Sequence, residues 1–313
     1  MSICSRNYYI YKYFNEGGTN MKLFTKYNIP DNASFVNVEL TKDNTIWIDP
    51  MMMYMDKSEM GKRCCLIVQQ YFLHLLNLAI NNDYKNGYLF TKDFSEINET
   101  RLGYSKNKPN GLSGGERLGK KIFDLIKDSC AVKTGMIGDI FDAEVMIEKL
   151  GVDKLSDFIS NLILEDLILY TQEECKKYNI PLKKVLLKRK YWSYSDQKWV
   201  SNQTLNLPFD SESNMAIILI PKSFCENKSI YSYQRFYSKG MIPFLGKEAV
   251  SNRIRGLIRI LKDKSIKPYY KMIKKQNPCN RDNVSKFISN HTDVYKEYKD
   301  KQLKYLNYQN YQN

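Results

Sequence analysis

Between residues 116 and 178 the apolar residues recur at helical spacing, and past Pro181 that spacing gives way to short β-rich runs. A change of period within one chain points to a mixed fold. Leu118, Ile122, Leu125 and Ile126 fall at i, i+4, i+7 and i+8, one face of a helix over 116–128. Further helices are expected over 139–150, stopped by Gly151, and over 153–178, ending before Pro181. Residues 184–192, 198–207 and 216–221 then read as three short strands of an antiparallel meander. Upstream, 34–40 (SFVNVEL) and 45–49 (TIWID) read as a β-hairpin around Thr41-Lys42-Asp43-Asn44. Ser58 is a natural cap for a long helix to Asn81. Its most apolar stretch, 64–80, contains Gln69, Gln70, His74 and Asn77, so it reads as a buried amphipathic helix and not a membrane span.

The expected architecture is therefore α+β. A mixed helical unit with an N-terminal β-hairpin spans 21–182, an antiparallel meander 183–222, and a basic helical region 223–313. Residues 1–20 are polar and tyrosine-rich, without the apolar centre of a secretory signal. They are expected to be a disordered arm, or to precede a true start at Met21. Glu16-Gly17-Gly18 back-translates into a purine-rich ribosome-binding site. The seven cysteines are odd in number and irregularly spaced, which predicts reduced thiols and a cytoplasmic setting. His74 and His291 are the only histidines, and neither lies near a cysteine pair with zinc-ligand spacing.

The chain carries a formal net charge of +14, and nearly all of it sits at one end. Residues 221–313 hold 20 Lys and Arg against 7 Asp and Glu, whereas the first 220 hold 28 basic and 27 acidic residues. AT-rich codon bias would enrich lysine along the whole chain, so it does not explain a local excess. A local basic field attracts polyanions, nucleic acid first. A membrane surface fits less well, because no helix pairs a basic face with an insertion face of Trp and Phe. Cations and rings interleave at Lys188, Arg189, Lys190, Trp192 and Tyr194, at Tyr233, Arg235 and Tyr237, and at Lys267, Tyr269, Tyr270 and Lys271. That pattern suits phosphate contacts combined with base stacking. Val250, Ile254, Leu257, Ile258 and Leu261 are spaced for one helix face, leaving Arg253, Arg255 and Arg259 around the rest.

Two further constellations bear on chemistry. The glycine-rich segment 106–115 (KNKPNGLSGG) matches known loops only in part. Gly111 to Gly115 has the spacing of a hydrolase nucleophile elbow without the strand that must precede it. Residues 114–121 nearly match a phosphate loop, but Lys121 stands where a Ser or Thr must hold magnesium. What survives is a helix that opens on Gly114 and Gly115 and carries Arg117, Lys120 and Lys121 in its first turns. Cations there oppose the helix dipole unless an anion is near, so the segment is either a phosphate-holding end or a solvated basic face. Separately, Asp153, Asp157 and Asn161 recur every four residues in one row. Asp153 and Asp157 either ligate Mg²⁺ or stabilise the start of their helix. Glu96 and Glu99, spaced i, i+3, are a site or a solvated loop.

Trp47-Ile48-Asp49-Pro50, Glu99 to Ser105 (ETRLGYS), the glycine segment, Asp153 to Asp157 (DKLSD) with Asn161, and Tyr170-Thr171-Gln172 occur in an order that resembles a prokaryotic family associated with mobile elements and antiphage defence loci. The resemblance covers residues 34–222 and leaves the basic tail outside. It implies a genomic context, and with it a partner protein in a defence complex, but no activity.

The leading expectation is a nucleic-acid-binding protein whose contacts are Lys188, Arg189, Lys190, Trp192, Arg235, Arg253, Arg255, Arg259 and Lys271. If it is catalytic, the expected reaction is Mg²⁺-dependent phosphodiester cleavage. Asp153 and Asp157 would hold the metal, Lys120 would assist, and Gly114, Gly115, Arg117, Lys120 and Lys121 would bind phosphate. The contrasting expectations are a non-catalytic scaffold subunit and a nucleotide sensor built on the glycine loop.

Overall fold

The computed structural model describes residues 21–103, 115–226 and 231–310. The Glu59–Ile80 helix is the element on which the others pack. Ser58 opens it, its Oγ accepting a hydrogen bond from the Gly61 N–H at 3.0 Å. Cys64, Ile67, Val68, Tyr71, Phe72, Leu75, Leu76 and Ala79 bury one face, as their helical spacing requires. The helices Pro50–Met55, Tyr84–Thr91, Gly115–Asp128, Cys130–Lys133, Ile140–Met146 and Val152–Leu162 all touch it. By length and composition it is also apolar enough to cross a membrane, alone in this among the described residues, and 44% of that apolar window is buried within the fold.

An aromatic cluster joins this helix to the β-rich part. Tyr71 stacks on Phe90 at 4.1 Å, Phe94 on Phe158 at 5.2 Å, and Trp192 meets Tyr71 edge-on at 5.2 Å. Such pairs contribute about 0.5–1.5 kcal/mol each beyond the area they bury.

The architecture is α+β, with helices dominant and the described strands forming small antiparallel pairs. Several elements differ from expectation. The first two meander strands form one interrupted hairpin: Lys183–Leu187 pairs with Gln203–Leu207, and Tyr191–Ser193 with Lys198–Val200. The break falls at 188–190, where Arg189 turns inward. The third run adds no strand to this hairpin. Met215–Ala216 pairs only with Phe209–Asp210, and Ile217, Ile218, Leu219 and Ile220 are all buried. With no polar alternation this run has no solvent face. Its amides donate instead to the Pro208 and Glu99 carbonyls and to Thr171 Oγ1.

The expected N-terminal hairpin does not form. Trp47–Ile48 pairs antiparallel with Cys225–Glu226, and Phe35 bridges to Pro221. Phe35, Val36, Val38 and Leu40 are all buried, so the 34–40 run lies inside the fold rather than along a two-faced ribbon. The expected single helix over 153–178 is two, Val152–Leu162 and Leu164–Lys177, divided at Ile163. The expected helix beyond Val250 ends at Ser251. Arg253 and Gly256 then take left-handed backbone, with φ of 48° and 86°. The β-branched residues that follow form a ribbon, Ile258–Ile260 against Ile266–Pro268.

The C-terminal helices fasten to the body at the Ile140–Met146 helix. Asp139 caps that helix, accepting from the N–H groups of Phe141 and Asp142 at 3.0 and 3.2 Å. The Asp142 Oδ1 accepts from Tyr295 Oη at 2.7 Å and from Lys299 Nζ at 2.8 Å, while Lys299 also reaches Asp139 at 2.5 Å. Burial alone would lower the Lys299 ammonium; Asp142 and Asp139 outweigh it and raise its pKa. Nearby, Arg281 Nε donates to the Glu144 carbonyl at 2.8 Å.

Replacing Lys299 with Met leaves the buried Asp142 and half-buried Asp139 carboxylates without their cation. Lys299→Met is expected to destabilise the fold by about 3–5 kcal/mol, read as a lower midpoint in urea unfolding. A change below about 0.5 kcal/mol would show that the clasp contributes nothing.

Candidate functional site: an acidic cleft and a cationic arm

The Val152–Leu162 helix presents two faces. Leu155, Phe158, Ile159 and Leu162 are buried, whereas Asp153, Ser156 and Asp157, at i, i+3 and i+4, share a row beside a cleft. Ser156 Oγ accepts from the Ile48 N–H at 3.0 Å and so fixes Trp47 at the cleft wall. Asn161 is fully buried. Its amide clamps Ser95, accepting from the N–H at 3.1 Å and donating to the carbonyl at 2.7 Å. This clamp sets the loop that brings Glu96 into the cleft. Asn44 holds the turn bearing Asp43, accepting from the Glu39 N–H at 2.8 Å and donating to the Arg101 carbonyl at 2.9 Å.

The result is a cleft of about 230 Å³ lined by four carboxylates, Asp43, Glu96, Asp153 and Asp157, with Trp47, Ile97 and Leu102 among its other walls. Burial, then the charges of Glu96, Asp153 and Asp43, push the Asp157 carboxyl up to about 7, against the opposing pull of Lys154. One carboxyl therefore holds or releases a proton near neutral pH, and the cleft as a whole attracts cations. Among the described residues no group of three or more His, Cys, Asp and Glu side chains stands arranged to hold a metal ion. Asp153 folds back over Gly151 and lies 3.9 Å from Lys154 Nζ.

Arg189, expected to contact nucleic acid, is buried. It pairs with Glu99 at 2.7 Å and donates to Ser95 Oγ at 3.0 Å and to the Glu96 carbonyl. It braces the cleft loop and has no free face for a phosphate. Trp192 is likewise a core ring, part of the floor of a second hollow lined also by Tyr71, His74, Phe90 and Tyr194. Lys190 pairs with Asp93 at 2.8 Å. Lys188 and Arg235 are exposed.

Of the expected phosphate-binding helix end, the described Lys120 and Lys121 do not line the cleft. Lys120 pairs with Asp124 at 2.9 Å and lies over the Tyr88 ring, outside the cleft lining. Lys121 is exposed. Gly114 and the side chain of Arg117 lie outside the described residues. Gly115 opens the helix. Gly119, the glycine before the lysines of the near-match, serves packing. A Cβ there would overlap the Thr91 carbonyl.

The second feature is an arm over residues 253–275. It carries Arg253, Arg255, Arg259, Lys262, Lys264, Lys267, Lys271, Lys274 and Lys275 and one acid, Asp263. All nine cations are exposed, and the salt bridges of the described residues include none of them. Arg253, Arg255, Arg259 and Lys271 of the expected contact set are therefore all exposed and lie within this one segment.

These features define an α+β protein with a carboxylate-lined cleft in its helical body and a basic ribbon beyond it. The chain belongs to the family described as Domain of unknown function (DUF8370), whose profile matches residues 26–232. The match includes the whole cleft and stops short of the arm. Comparison with curated proteins finds no match, nor does comparison with solved structures.

Two outcomes test this account of the residues. An acid with a raised folded pKa binds its proton more tightly when folded. Stability is then greatest at low pH and is lost as pH rises from about 4 towards about 7. Asp157→Asn is expected to stabilise the protein by up to about 3 kcal/mol at pH 8 and by little at pH 4. A loss of stability at every pH would mark Asp157 as a helix-stabilising acid instead. Gly119→Ala is expected to cost about 1–3 kcal/mol through overlap with Thr91, with the thermal midpoint as readout.

Proposed function

We propose that this protein is a cytoplasmic nucleic-acid-binding protein that engages phosphate backbones through the 253–275 arm. The observation that carries this is the arm's nine exposed cations, unpaired with any described carboxylate. Each Lys or Arg that neutralises a phosphate releases condensed counterions, which gives affinity without sequence preference. Elsewhere some residues of the same types are spent on internal pairs, as with Lys26 and Asp210 at 2.5 Å or Arg63 and Asp166, and others are exposed singly rather than gathered nine to one acid. The arm keeps its charge available. The context implied by the sequence resemblance, an antiphage defence locus acting with a partner protein, suits an effector of this kind.

A second reading concerns the cleft, and four converging carboxylates favour it. Mg²⁺ drawn between Asp153, Asp157 and their neighbours would let the cleft cleave a phosphodiester. The carboxylates must swing together to hold the ion, and Lys120 takes no part. Asp157 is the group whose removal tests this reading.

Fluorescence anisotropy with duplex and single-stranded oligonucleotides at low salt tests the first reading. The triple variant Arg253→Ala/Arg255→Ala/Arg259→Ala is expected to bind about 10–100-fold more weakly with an unchanged thermal midpoint. Equal affinity of the variant, or no binding by the wild type, would refute it. For the cleft, Mg²⁺ is expected to support nucleic-acid cleavage that Asp157→Asn abolishes while binding persists. Binding without cleavage would leave a scaffold subunit.

A further inference from the structure

We propose that the ribbon at 258–268 is a groove-inserting arm for duplex DNA, with Ile260 as an apolar wedge that opens a base step and bends the duplex. This rests on the nucleic-acid-binding reading and specifies its substrate.

The ribbon is short and well defined. Ile260 opposes Ile266, Arg259 opposes Lys267 and Ile258 opposes Pro268. Its turn is closed by the Leu261 N–H donating to the Ser265 carbonyl at 2.9 Å, with Lys264 in left-handed backbone at φ 64°. The Asp263 carboxylate accepts from the Ser265 N–H at 3.0 Å and from its hydroxyl at 2.6 Å. The single acid of the arm is thus occupied in shaping the turn. At the base, the ribbon touches the Ile242–Ser251 helix. The neighbouring Tyr270 ring packs so closely on Gly246 that a Cβ there would stand 2.8 Å from it. These contacts anchor the arm.

Alternation along the strands separates two faces. Arg259, Lys267 and Tyr269 share one. Like charges directly opposite each other destabilise a ribbon, and Arg259 and Lys267 form such a pair. An anion between them removes the penalty. The Arg259 guanidinium stacks on the Tyr269 ring, its centre 3.6 Å away. That stacking holds the cation in place and occupies one face of the ring, which a base would otherwise stack on. The arrangement therefore favours contact with a backbone over stacking of single-stranded bases.

Ile258, Ile260, Ile266 and Pro268 make the other face. Ile258 and Pro268, on the pair nearer the base, and Ile266 are half-buried, whereas Ile260, which opposes Ile266 on the pair next to the turn, is 71% exposed. It is the most exposed large apolar side chain among the described residues. An isoleucine beside the turn of a cationic ribbon, with Arg259, Lys262 and Lys264 close to it in the chain, matches the chemistry of groove wedges. These insert apolar side chains between base pairs from the minor groove while cations hold the flanking phosphates. The deep, narrow major groove of an A-form RNA helix does not admit a two-stranded ribbon, and its shallow minor groove is read by surface contact without insertion.

The test uses the full chain and a duplex of about 30 base pairs labelled at both ends, with energy transfer reporting bend and anisotropy reporting affinity. Wild type is expected to shorten the end-to-end distance. Ile260→Ala is expected to keep affinity within about threefold and lose the shortening. Arg259→Ala/Lys267→Ala is expected to lose about tenfold in affinity. The side chain is exposed, so Ile260→Ala should retain the wild-type thermal midpoint, which checks that folding is intact. Binding without bending, an Ile260→Ala variant that bends like wild type, or tighter binding of single strands would each overturn the wedge and leave the nucleic-acid reading standing. A dimer by light scattering that Ile260→Ala converts to monomer would overturn it too, by showing that Ile260 seats a second copy. Absence of binding at low salt would sink the nucleic-acid reading itself.

Discussion

Like charges crowded into one region must be neutralised, protonated or relieved by a partner. This constraint organises the protein twice, with opposite signs. In the cleft, Asp43, Glu96, Asp153 and Asp157 converge, and Asp157 answers by holding its proton up to about pH 7. On the arm, lysine and arginine cannot shed their charge at neutral pH, so the field remains and faces solvent. Both arrangements work against folding. The aromatic cluster around Tyr71, Phe94, Phe158 and Trp192, with the long helix behind it, offsets them.

Two charged residues of the body show what the chain does when charge serves the fold. Arg189 is sunk against Glu99 and the Glu96 carbonyl. Lys299 sits between Asp139 and Asp142 and ties the last helix to the body. These pairs are compensated where they stand. The gathering of nine exposed cations against one acid in the arm is the physical basis for reading it as a binding surface. The clasp at Asp142 also gives that arm a fixed mount, because the C-terminal helices dock on the same Ile140–Met146 helix that touches the central one.

The sequence made much of this legible, and the failures have physical causes. The helices over 59–80 and 115–128 follow from apolar spacing and a serine cap, and the charge asymmetry needed only counting. Asp157 was recognisable from its row with Asp153 and Asn161, and Glu96 stood out beside Glu99, but Asp43 did not, nor did the meeting of Glu96 and Asp43 with Asp157. They reach the cleft only because the Asn161 and Asn44 amides fix two loops through contacts distant in the chain. Arg189 and Trp192 looked like surface contacts because basic and aromatic residues alternate there. Tertiary pairing with Glu99 and with the ring cluster drew them inward. Beyond Val250 the apolar spacing fitted a helix, yet left-handed backbone at Arg253 and Gly256 overrode it and produced the ribbon. In that case the error moved the same cations from a helix to a more exposed element.

The account turns on the arm meeting a polyphosphate backbone. The most direct measurement is the salt dependence of nucleic-acid affinity for the whole chain. The logarithm of the binding constant should fall linearly with the logarithm of salt concentration, with a slope between about −4 and −8, as several arm cations each displace a counterion. A slope near zero, or one unchanged when arm lysines are removed one by one, would contradict the account.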